Sequence, residues 1–136
     1  MRHAVLLLLL FQSPDAVELE RHQGTWRVVS FERDGTETPK EIIDSIERIV
    51  EGDHVVWKRN GKSFAGTTMK LDPKADLATI DLAPDGGPNR EKVVHGIYKL
   101  ERDTLMICTS DADQPRPKEF NAASGSGWTL VKFRKK

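Results

Sequence analysis

The feature that most constrains this chain is a series of about eight short strand-like runs, each ending at residues that favour a turn. The turn residues include Asp34-Gly35, Gly52-Asp53 and Asn60-Gly61, and the Asn-Gly pair is strongly favoured in two-residue hairpin turns. The runs cover residues 24–33, 48–51, 54–59, 63–71, 78–82, 93–101, 104–109 and 128–134. Short strands at this spacing predict consecutive antiparallel neighbours, as in a barrel or a sandwich.

Closure of the sheet is favoured because an open sheet would leave two long strand edges unpaired. Pairing the first strand, which contains Trp26, with the last strand, which begins at Trp128, removes both edges. The sequence therefore predicts an all-β protein, a small antiparallel up-and-down barrel of about eight strands.

One helix is predicted between the first and second strands. Thr38 is a favourable N-cap, Pro39 suits the first helical position, and Glu41 would complete a capping box. The isoleucines that follow at helical spacing are Ile42, Ile43, Ile46 and Ile49. An apolar stripe of this kind must pack against another element, so this helix is predicted to cap one end of the barrel.

The N-terminus has the pattern of a secretory signal peptide. Arg2 supplies a positive charge, residues 4–11 form an apolar run, and a polar, turn-prone segment leads to Ala16. The apolar run is too short for a stable membrane span, which needs about 20 residues. Residues 1–16 are therefore predicted to be a signal peptide and 17–136 a single exported domain, periplasmic or extracellular. The alternative is an apolar N-terminal helix packed on the domain.

Composition disfavours several classes of function. The chain has 21 basic and 21 acidic residues, so it has no net charge that would attract nucleic acid. Cys108 is the single cysteine, which excludes an intramolecular disulfide, and its apolar surroundings predict a buried hydrophobic role.

Catalytic and metal-binding patterns are weak. The sequence has no nucleophile elbow, no phosphate-binding glycine loop and no helix-borne histidine pair, so the protein is predicted not to be an enzyme. His22, His54 and His95 are isolated in the sequence, and no group of residues has the spacing of a metal site. No cofactor is predicted.

Two functions are compatible with a small barrel. The first is a carrier that binds a small apolar ligand inside the barrel, in a cavity of a few hundred cubic ångströms. The second is a filled barrel that acts as a structural or protein-interaction module. The candidate ligand-binding residues are Trp26, Trp57, Met69 and Tyr98, together with Arg116 from the irregular segment 111–127. Ordinary core packing is the alternative role for the apolar members of this set.

The sequence resembles a lipocalin-like domain family, of unassigned function, that is common in exported planctomycete proteins. The matching segments cover nearly all of residues 17–136, and they are 22–26, 49–53, 70–73, 96–100, 103–105, 116–117 and 119–120. The resemblance implies a lipocalin-like barrel and a signal peptide, and it implies no activity, ligand or catalytic residue. The family usually has leucine where this chain has His22.

Overall fold

The computed structural model describes residues 14–136, which form two short helices and nine strands. The elements in chain order are α1 (Pro14–Arg21), β1 (Gly24–Arg33), β2 (Thr36–Glu37), α2 (Lys40–Ile43), β3 (Ile46–Glu51), β4 (His54–Arg59), β5 (Lys62–Asp72), β6 (Thr79–Pro84), β7 (Val94–Glu101), β8 (Thr104–Thr109) and β9 (Thr129–Lys135).

Eight of these strands form a closed antiparallel barrel, and the two-residue β2 extends it beside the end of β1. Strand β1 closes the barrel because it pairs with β3 through Gly24↔Val50 and with β9 from Trp26↔Lys135 to Arg33↔Thr129. The predicted all-β, lipocalin-like barrel and the predicted pairing of first and last strands are confirmed.

The tight turns lie where the sequence predicts them. Asn60 and Gly61, for example, have φ values of 52° and 78° and join β4 to β5. A two-residue hairpin of the favoured type requires positive φ at both positions, which asparagine and glycine tolerate best. Local turn chemistry therefore sets the order of the strands.

The predicted isoleucine helix is wrong in extent. Helix α2 has only four residues, its N-cap is Pro39, and Thr38 makes no capping side-chain hydrogen bond. Ile46 and Ile49 lie on β3, where residues three apart face opposite sides of the sheet. Strand β1 pairs with β3 only as far as Arg27↔Glu47. Ile43 of α2, which precedes β3 in the chain, is buried in the core.

A second short helix, α1, which the sequence pattern does not indicate, caps the end of the barrel opposite α2. Leu19 packs against the core, and Gln23 bonds to both backbone groups of Gly52 in the β3–β4 turn. We call this end, with the turns at 52–53 and 102–103, the closed end. The predicted signal peptide lies outside the described residues except for its last three positions, which begin α1.

The core lies inside the barrel because alternate side chains of each strand point inward. On β1 and β9, for example, Trp26, Val28, Val131 and Phe133 are buried. Cys108 is also buried, as predicted. Neither helix of residues 14–136 has the length and apolar character needed to cross a membrane.

Candidate ligand site inside the barrel

The structure places three of the five candidate residues deep in the core. Trp26, Met69 and Tyr98 are at most 3% exposed and belong to one hydrophobic cluster. Trp57 is half-buried and packs against the same cluster. The four apolar candidates therefore share the barrel interior, whereas Arg116 does not.

Arg116 lies on the outside of the barrel. It forms an ion pair with Asp81 at 2.9 Å and donates a hydrogen bond to the Gly96 carbonyl at 2.8 Å. Asp81 also accepts a hydrogen bond from His95 Nδ1 at 2.8 Å, on the assumption that this nitrogen carries the proton. Burial raises the pKa of Asp81, but these hydrogen bonds outweigh it and hold the pKa below its ordinary value. Arg116 thus anchors the segment between β8 and β9 to the outer face of β6 and β7.

Tyr98 holds α1 on the closed end. Its hydroxyl donates a hydrogen bond to Glu18 Oε2 at 2.5 Å, and Glu18 also pairs with Arg21 at 2.6 Å. Burial, together with the hydrogen bond to Glu18, raises the pKa of Tyr98, so the phenol stays protonated. The polar end of Tyr98 is therefore already used within the fold.

Aromatic rings lead inward from the end of the barrel opposite α1. Phe64, which is 57% exposed, lies with its ring centroid 6.5 Å from that of Trp57. The Trp57 ring is in turn 5.7 Å from the ring of buried Phe133. We call this end the rim; its half-buried or exposed apolar residues are Phe31, Ile46, Trp57, Phe64 and Leu82.

The aromatic series ends at Arg48, a residue that the sequence analysis did not select. Arg48 is 1% exposed, and its Cζ lies 5.6 Å from the centroid of the Phe133 ring. Its Nη2 is 3.6 Å from the thioether sulfur of Met69, which is a weak acceptor. Burial lowers the pKa of Arg48 to about 10, so the guanidinium is still charged at neutral pH.

Arg48 carries one of a few buried polar side-chain atoms that lack a hydrogen-bond partner. Within residues 16–136 the atoms concerned are Arg48 Nη1, Thr67 Oγ1 and both ring nitrogens of His22. Thr67 is two positions from Met69 on β5, so the two side chains share the inward face. Burial, and secondarily the charge of Arg48, lowers the pKa of His22 to about 4.

The position of Arg48 has a simple signal in the sequence. Ile46, Arg48 and Val50 alternate along β3 with residues of the other face, so a strand beginning at Ile46 would place all three inward. When Ile46 and Ile49 are assigned to a helix, the inward position of Arg48 on the strand is not apparent. Strand β3 also pairs Arg48 with Trp26 on one side and with Trp57 on the other.

A cleft of about 540 Å³ opens beside the rim. It is lined by Ile46, Arg59, Asn60, Lys62, Ser63 and Phe64. Two apolar rim residues and two cations therefore border the same space. A larger cleft, about 800 Å³, lies along β1 and α2 beside Leu130 and Lys132, and the rim residue Phe31 also lines it.

Chemically, the interior offers apolar rings, one guanidinium and one hydroxyl. Among the residues described here, no three His, Cys, Asp or Glu side chains are arranged to hold a metal ion. Burial raises the pKa of the Cys108 thiol, which disfavours the nucleophilic thiolate. These groups suit recognition of a small molecule by shape and charge.

Fold and site together define a closed eight-stranded lipocalin-like β-barrel, with one end capped by a helix and a buried arginine in its interior. Comparison with family models, with curated proteins and with solved structures found no match to this chain.

Proposed function

We propose that the protein is a non-enzymatic, exported carrier that binds one small molecule with an apolar body inside the barrel. The observation that carries the proposal is the series of rings from exposed Phe64 through Trp57 to buried Phe133. Small-molecule sites are mostly apolar with a few polar groups, and the mouths of small β-barrels are among their usual places. The ligand enters at the rim, because α1 covers the other end.

A filled barrel that acts as a structural or protein-interaction module is the second candidate. It is favoured by the packing of Trp26, Met69 and Tyr98, each at most 3% exposed. The two candidates differ in one property, which is whether the interior admits a ligand.

The test is a fluorescence titration with the neutral apolar probe N-phenyl-1-naphthylamine. The carrier binds one probe per chain, with a saturable rise in emission. Ala65→Trp should weaken binding at least about tenfold, which corresponds to about 1.4 kcal/mol. Ala65 is an exposed residue that pairs with Trp57 and shares its inward parity, so a large ring there blocks the rim.

Ala83→Trp is the matched control. Ala83 is also exposed, but it follows inward-facing Leu82 and so points outward, and its variant should bind the probe as the unmodified protein does. Absence of saturable binding to the unmodified protein would favour the filled barrel. Equal losses in the two variants would place the probe outside the interior and contradict the carrier.

A further inference from the structure

We propose that the ligand carries a single carboxylate, which binds the Arg48 guanidinium inside the barrel. This inference rests on the proposed carrier function and adds the chemistry of the ligand's head group. It starts from a side chain whose charge has no partner within the fold.

The first step is the isolation of the Arg48 charge. Among the residues described, its Nη1 makes no hydrogen bond, its Nη2 donates to the weakly accepting sulfur of Met69, and Arg48 is 1% exposed. No carboxylate of the side chains described pairs with it, since the ion pairs of this fold involve other cations. Buried charges in proteins are normally paired, because removing an ion from water is costly. An anion bound from outside the chain supplies the missing partner.

The second step is the number of charges. Arg48 is the one basic residue, apart from the histidine His22, that is buried within residues 16–136. The pKa of His22 is lowered to about 4 mainly by burial, so His22 is neutral at pH 7. The buried carboxylate of Glu18 is already paired with Arg21, so Arg48 is left as one unpaired buried positive charge. A single carboxylate balances that charge, whereas a dianionic phosphate ester would leave a net buried charge.

The third step is geometry. A guanidinium presents planar donors that match the two oxygens of a carboxylate. Thr67 Oγ1, a second buried and unpartnered polar atom, supplies a further donor from the inward face of β5. Arg59 and Lys62 beside the rim raise the local concentration of an anion before it enters.

The orientation of the ligand follows from these positions. In the proposed complex the carboxylate lies against Arg48 and the apolar body runs outward past Phe133 and Trp57, so binding requires the packing around Arg48, which is 1% exposed, to open. The recognised class is therefore a carboxylic acid with a hydrocarbon or other apolar body. A short acid without such a body lacks the contacts with the rings.

The experiment compares decanoate with decanol by isothermal titration calorimetry, because the two share an apolar chain and differ in charge. The unmodified protein should bind decanoate at least about tenfold more tightly than decanol, because one charge-assisted hydrogen bond has about this effect. Arg48→Met keeps an apolar side chain of similar length and should abolish this preference. Arg116→Met, which changes an arginine outside the barrel, should retain it.

The outcomes separate the two proposals. If neither compound binds, the carrier function fails and the head-group assignment fails with it. If both bind equally, the carrier stands and the carboxylate assignment is wrong. If the preference for decanoate survives in Arg48→Met, the carboxylate does not bind Arg48 and the assignment is overturned.

A second variant covers the case in which Arg48→Met does not fold. Thr67→Val should weaken decanoate several-fold and leave decanol unchanged. With ¹³C-carboxyl decanoate on the unmodified protein, the pKa of the bound acid should lie below that of the free acid. A pKa at or above that of the free acid would overturn the assignment.

Discussion

His22 is a buried histidine whose ring makes no hydrogen bond. It is fully buried beside α1, and its ring meets that of Tyr98 edge-on at a centroid distance of 4.9 Å. Burial and then the charge of Arg48 lower the pKa of His22 from 6.5 to about 4. The folded protein therefore holds His22 neutral over a pH range in which the unfolded chain protonates it.

The first residue-scale prediction concerns stability in acid. Because the unfolded chain binds the extra proton, the contribution of His22 is fully present above pH 6.5 and is lost as the pH falls towards 4. A shift of this size corresponds to roughly 3 kcal/mol. His22→Leu should remove this part of the pH dependence, measured by urea unfolding between about pH 4.5 and 7.5.

The control for this prediction is Leu77→Ala, a change at a non-titratable side chain that is 40% exposed. Its unfolding free energy should follow that of the unmodified protein across the same pH range. Parallel pH profiles for the unmodified protein and His22→Leu would show that His22 is not held neutral by the fold.

The sequence identifies candidate interior residues only by their residue type. Trp26, Met69 and Tyr98 were selected because large apolar side chains are usually buried, and the structure places all three in the barrel. Arg48 was not selected, because a charged residue is usually assigned to the surface. The alternation along β3 places Arg48 on the same face as Ile46 and Val50, but pairing with the strands of Trp26 and Trp57 decides that this face is inward, and pairing between distant segments is not a local property.

At the scale of elements, α1 is held on the closed end by few contacts. Tyr98 donates to Glu18, Arg21 donates to both Glu18 and the Leu100 carbonyl, and Trp26 Nε1 donates to the His22 carbonyl at 3.0 Å. Glu18 is the central group, because it is a buried carboxylate that accepts from two donors. Loss of the Tyr98 hydroxyl would leave the Glu18 carboxylate without one of its two hydrogen-bond donors.

The prediction for this element is that Tyr98→Phe loosens α1 without opening the barrel. A hydrogen bond to a charged group contributes about 1.5–3 kcal/mol, so the unfolding free energy should fall by about that amount. Amide exchange of residues 16–22 should accelerate, while exchange in β8 and β9 stays slow.

Glu20→Gln is the control for the helix, since Glu20 is an exposed carboxylate of α1. Its exchange in α1 should match that of the unmodified protein. If Tyr98→Phe left exchange in α1 unchanged, the Tyr98–Glu18 bond would not be what holds the helix.

The elements were predictable to the extent that local patterns specify them. The period of two and the turn residues placed β1, β4 and β8 at their observed bounds. The helix was misassigned because Ile43, Ile46 and Ile49 recur at a spacing that a helix and a chain entering a strand both allow. Helix α1 was missed because its first residues read as the end of a signal peptide.

For the whole molecule, the two ends of the barrel have different structures. The closed end carries α1 and short turns, including the turn at 52–53, whose backbone is hydrogen-bonded by the Gln23 side chain. The long connection between β8 and β9 leaves the other end and packs outside the barrel, since its partners Asp81 and Cys108 face outward. The rim therefore keeps Phe64 exposed, and it is the end at which the proposed carrier takes up its ligand.

The prediction at this scale is that ligand binding protects one end of the barrel only. With N-phenyl-1-naphthylamine bound, hydrogen exchange should slow several-fold in the rim hairpin at 60–61, because closing rim contacts over the ligand suppresses local opening. Exchange at the closed-end turns 52–53 and 102–103 should not change, so these turns serve as controls within the same molecule. Slower exchange at those turns would mean that the ligand enters beneath α1. If Ala65→Trp abolishes the protection of the rim hairpin and Ala83→Trp keeps it, the protection depends on passage of the ligand through the rim.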